Sequence, residues 1–88
     1  MGKANRDDFA GAIADYTVAI EAPDVPLDVK AMALYNRALA YSSEEQADRA
    51  VADLEAVIAM SAAPTNIKAA AQDRLGRLKR SKDAGERG

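Results

Sequence analysis

The residue types that most often carry chemistry are thinly represented in this chain. It has no His and no Cys, which removes imidazole acid–base catalysis, thiol nucleophiles, disulfides and thiolate metal sites together. Carboxylates remain. Asp7/Asp8 and Glu44/Glu45 are adjacent acid pairs, and paired carboxyl groups can divide acid and base roles when burial separates their pKa values. Both pairs fall where helices are expected to begin, and acids there cap free N–H groups and oppose the helix dipole. No nucleophile–base pair and no glycine-rich phosphate loop accompanies them. A basic run, Arg74, Arg77, Lys79, Arg80 and Lys82, offers charge for phosphates. It lacks interleaved aromatics to stack bases and sits towards a helix C-terminus, where cations complement the dipole. The expectation is a protein that is not an enzyme, with no cofactor, no metal and no nucleic-acid partner.

The elements that must position these groups read as helices. At 88 residues the chain is one small domain with a thin stability margin. Its hydrophobic fraction is 49% with only 5% aromatic residues, so alanine supplies much of the apolar content. Alanine is the best helix former and lets helices approach closely, which predicts an all-α chain. Apolar residues at i, i+3, i+4 and i+7 mark four segments. The first covers about 8–21, with Phe9, Ala12, Ile13, Tyr16, Ala19 and Ile20 on one stripe and Asp7 or Asp8 as its cap. The second, about 26–41, opens on Pro26 and buries Leu27, Ala31, Leu34, Ala38 and Tyr41. Met32, Tyr35 and Leu39 give it a second apolar stripe. Ser43-Glu44-Glu45-Gln46 reads as a capping box for a third helix, about 44–60. Pro64 opens the fourth, about 64–80, and residues 81–88 read as a polar, disordered tail. No apolar run is long enough for a membrane span and no signal peptide is visible, so a cytoplasmic, membrane-free location is expected.

The chain repeats itself. Ala12-Ile13-Ala14-Asp15-Tyr16 and Ala50-Val51-Ala52-Asp53-Leu54 lie 38 positions apart, and Ile20/Ile58, Pro26/Pro64, Lys30/Lys68, Ala31/Ala69 and Ala33/Ala71 keep the same offset. A shared offset over two helices and a loop is the mark of stacked helical hairpins. The pattern resembles the tetratricopeptide repeat (TPR). Leu34, Arg37-Ala38 and Tyr41 stand like its first helix, Ala50, Leu54 and Val57 like its second, and Leu75-Gly76 like the Leu-Gly pair of a following unit. The chain departs from that family in its longer period, in Arg37 where Leu is usual, and in Lys79 where Tyr belongs. Lys79 suggests a polar end cap. The first helix resembles the second half of a unit whose first half is nearly absent. Either the chain is part of a longer array, or a second copy covers that face.

The resemblance implies a short right-handed superhelix of about four helices, with its partner groove lined by the first helix of each hairpin. The residues implied are Met32, Tyr35, Asn36 and Leu39, with Asp73, Arg74 and Arg77 from the fourth helix. Met and Tyr suit adaptable contact surfaces. Asn36 and Arg74 also resemble two members of the carboxylate clamp of chaperone-binding TPR domains, although Ala70 stands where the clamp Lys belongs. The expected partner is a protein or peptide, with homodimerisation through the incomplete first hairpin as the alternative. The opposite reading of the second stripe is that Met32, Tyr35 and Leu39 simply pack against neighbouring helices.

Overall fold

The computed structural model describes the backbone of residues 2–87 and the side chains of residues 9–80. Over that span the chain is all-α: α1 (Gly2–Glu21), α2 (Leu27–Ser43), α3 (Ala47–Ala59) and α4 (Thr65–Arg87). Each helix packs on the next, and α2 also reaches α4. The resulting stack measures 44 × 32 × 17 Å, so it is thin along one direction.

The 38-residue repeat of the sequence reappears in the helix boundaries. α1 ends at Glu21 and α3 at Ala59, while α2 begins at Leu27 and α4 at Thr65, both pairs at that offset. Pro26 and Pro64 do equivalent work just before the second helix of each unit. Each offers its carbonyl to the N–H four residues on, Lys30 N to Pro26 O and Lys68 N to Pro64 O, both at 2.9 Å. Pro26 sits at φ −58° and ψ 150°, where its fixed φ suits the entry to a helix and its missing N–H leaves no donor unpaired. It precedes the first helical residue rather than occupying it.

Four local expectations need correction. α1 begins at Gly2, so Asp7 and Asp8 lie within the helix and not at its cap. Leu27 is 53% exposed, because it is the first residue of α2, beside the exposed Pro26 at the corner of the turn. α4 continues to Arg87. Of the residues expected to form a disordered tail, 81–87 are therefore helical in backbone; neither Pro nor an early Gly intervenes to stop the helix. The capping box at Ser43–Gln46 does not form either: Ser43 closes α2 and Gln46 makes no side-chain cap bond. In its place the backbone turns through a left-handed residue, Glu45, at φ 61°. Gln46 N donates to Tyr41 O at 2.9 Å and Glu45 N to Ser42 O at 3.1 Å. That pair of bonds is a Schellman motif, which satisfies carbonyls left over at a helix end. It normally uses Gly, because a Cβ makes the left-handed region unfavourable.

The core is small-residue packing, as the composition predicts. Ala31, Leu34 and Ala38 of α2, Ala50, Leu54 and Val57 of α3, and Ala63 and Ala71 form one buried cluster. Ile20, Tyr35, Tyr41, Ile58, Ile67 and Leu78 pack around it, half-buried. Leu54 and Val57 are the largest side chains wholly removed from solvent. Each contributes on the order of 1.5–3 kcal/mol relative to exposure, and the alanines let α2 and α3 close around them.

Candidate functional site

Two features stand out from this core: a groove between α1 and α2, and a buried ion pair beside it.

The groove has a volume of about 310 Å³ and is lined by Phe9, Ala12 and Tyr16 of α1 and by Asn36, Leu39, Ala40 and Ser43 of α2. The lining positions on α1 recur at i, i+3 and i+7, and those on α2 at i, i+3, i+4 and i+7, so each helix offers one stripe. The walls are apolar, with amide and hydroxyl groups from Asn36, Ser43 and Tyr16 available for orientation. This is the common make-up of a small binding cleft. On α2 the same stripe extends one turn to Met32, which is 49% exposed.

The residues implied by sequence divide accordingly. Asn36 and Leu39 line the groove, and Met32 lies next to it on the same face. Tyr35 packs against the core cluster, since it stands on the side of α2 that carries Leu34 and Ala38. Asp73 and Arg77 pair with each other across one turn of α4, at 3.3 Å and largely in solvent, and neither lines the groove. Arg74 does not line it either, so the groove brings Asn36 together with α1 and not with a clamp cation. The missed residues are Ala40 and Ser43 of α2 and Phe9, Ala12 and Tyr16 of α1, the last three read in the sequence as a buried stripe. For those three, apolar spacing at i, i+3 and i+7 was the available signal, and it does not distinguish a covered stripe from an open one.

The ion pair was also missed. Arg37 donates through Nε to Asp53 Oδ2 at 2.7 Å and through Nη2 to Asp53 Oδ1 at 2.8 Å, a two-point fit of guanidinium to carboxylate. Its Nη1 donates to Thr17 Oγ1 at 2.9 Å. The Thr17 hydroxyl in turn donates to Ile13 O at 2.8 Å, which leaves a lone pair facing the guanidinium. One side chain of α2 thereby ties α1 to α3. Asp53 is buried and Arg37 is only 17% exposed as a side chain. The Arg37 guanidinium also lies 5.6 Å from the Tyr41 ring centre, with that of Arg49 at 5.9 Å, within cation–π range. The hydrogen bond to Asp53, opposed in part by burial, holds the Arg37 pKa above its already high ordinary value. Raised from that value, the guanidinium stays charged at neutral pH, and its stabilising contribution is lost only when pH rises past the raised pKa. Among the described residues no buried polar side-chain atom is left without a partner, and the Arg37–Asp53–Thr17 network acts as a structural tie.

Among the described residues, no cluster of acids has metal-site geometry, and no helix is long and apolar enough to cross a membrane. Comparison with known protein families, characterised proteins and solved structures gives no match.

Proposed function

We propose that this chain is a non-enzymatic protein-interaction module, a TPR-like stack of helical hairpins that holds a protein or peptide partner at the α1/α2 groove. The observation that carries this reading is the groove itself: Phe9, Ala12, Tyr16 and Leu39 form one accessible apolar cleft with polar groups at Asn36 and Ser43. An amphipathic segment suits such a cleft, with its apolar side chains entering and its backbone or polar side chains meeting Asn36 and Ser43. The 38-residue repeat of helix boundaries supports the hairpin-stack reading, and the soluble, cytoplasmic setting expected from sequence fits it.

Site-directed photo-cross-linking from Ser43 in a cell lysate tests the proposal, with Leu39→Lys as the paired control. Leu39 is half-buried on the wall of the open groove, and circular dichroism checks that the charged variant keeps the fold. A discrete adduct with wild type that disappears with Leu39→Lys supports groove binding. Adducts unchanged by the substitution contradict it.

A further inference from the structure

Within the chain, α3 presents a stripe of Ala50, Asp53, Leu54 and Val57, all buried. Arg37 of α2 pairs with Asp53 there. At the repeat offset, the matching stripe on α1 is Ala12, Asp15, Tyr16 and Ala19. Here Asp15 is exposed, the other three are only half-buried, and Asp15 has no ion-pair partner among the described residues. The stretch of α1 from Phe9 to Ile20 is also apolar nearly all round: its single charge is Asp15, yet Val18 is 69% exposed. Helices of that composition are normally covered on every side.

The complementary surface is present on α4. This helix is the repeat equivalent of α2, and the α2 positions Ala31, Leu34 and Ala38, all in the buried core, correspond to Ala69, the exposed Gln72 and Gly76. Ala69 is exposed and Gly76 half-exposed, and a Cβ on Gly76 would meet nothing nearer than the Arg80 guanidinium at 3.5 Å. One end of the stack therefore has a free α3-type stripe and the other a free α2-type face. Their charges are opposite. Residues 9–26 hold three acids and no base, whereas residues 65–80 hold five bases against one acid. Leu75, half-buried against the core, stands at the position of Arg37, and Lys79, in the place of Tyr41 one turn further on, is the cation within reach of the equivalent of Asp53, Asp15.

From this we infer that the occupant of the α1 end is a second copy of the chain, whose α4 lies along Ala12, Asp15, Tyr16 and Ala19 and pairs Lys79 with Asp15. The inference rests on the reading of the α1 end as a protein-binding site and names its partner. Because the two surfaces differ, the contact is head-to-tail, and such contacts propagate instead of closing at two copies.

Sedimentation equilibrium over a concentration series tests this, using the chain, Asp15→Lys, Lys79→Glu and an equimolar mixture of the two variants. Both positions are exposed, so the folds are retained. For the chain, the mean mass should rise from 9.3 kDa without levelling at twice that value. Each variant alone sets like charges face to face and should associate about tenfold more weakly, the effect of turning an exposed attractive pair into a repulsive one. The mixture restores opposite charges at both contacts and should recover wild-type association. A plateau at the dimer mass, or variants that associate as well as wild type, overturns the head-to-tail contact. A chain that stays monomeric throughout overturns self-association. Should that monomer still give the Leu39-dependent adduct, groove binding stands by itself.

Discussion

The stripe Ala50, Asp53, Leu54 and Val57 on α3 and the stripe Ala12, Asp15, Tyr16 and Ala19 on α1 are two copies of one pattern in different surroundings. The α3 copy is closed over by α2, its carboxylate gripped by Arg37. In the α1 copy Asp15 is exposed and Ala12, Tyr16 and Ala19 are only half-buried. In a stacked-hairpin chain the same residues are core or surface according to whether a neighbouring helix covers them. Burial here belongs to position in the stack as much as to residue type.

Substitutions at paired positions sharpen that contrast, measured by chemical denaturation at protein concentrations low enough for a monomer. Arg37→Leu should cost about 3–5 kcal/mol, because it leaves the buried Asp53 carboxylate without its partner. Adding Asp53→Leu should recover much of the loss, since an apolar pair can replace a buried ion pair. Asp15→Ala, at the matching place on α1, should change stability by less than about 0.5 kcal/mol. Leu54→Ala should cost about 2–5 kcal/mol through lost burial and the cavity it leaves. Tyr16→Ala should cost clearly less, as Tyr16 borders an open groove already. If the two prove equal, the stripes are not in different environments.

Adding volume should separate them as well. Ala50→Leu overpacks the α2–α3 contact and should cost about 1–3 kcal/mol, while Ala12→Leu extends into the groove and should cost little. A smaller effect belongs to the turn between α2 and α3. Glu45→Gly removes the Cβ from a left-handed residue and should raise stability by about 1 kcal/mol, which in a chain this short moves the melting temperature upward by roughly 4–8 °C.

Much of the fold was legible because it rests on short-range signals. Apolar spacing placed all four helices, and the offset shared by Ala12/Ala50 and Pro26/Pro64 placed the hairpin boundaries. Ser43–Gln46 misled because a Ser followed three residues later by Gln fits a helix start, while the competing Schellman turn depends on Glu45 accepting a left-handed backbone that its side chain disfavours. The tie from Arg37 to Asp53 and Thr17 was illegible, since it joins residues on three helices. Arg37 showed only as a departure from an expected Leu. Tyr35 and Leu39 shared a stripe in the sequence but part in the structure, Tyr35 to the core and Leu39 to the groove, because α2 has neighbours on more than one side.

α1 carries a core-type stripe that, on the proposal above, a partner covers. Native-state amide hydrogen exchange, followed helix by helix at low and high protein concentration, tests it most directly. In dilute protein α2 and α3 should exchange slowest and α1 markedly faster. Protection of the amides around Ala12–Ala19 should then rise with concentration while α3 stays unchanged. Protection of α1 equal to that of α3 in the dilute monomer, with no dependence on concentration, would contradict it.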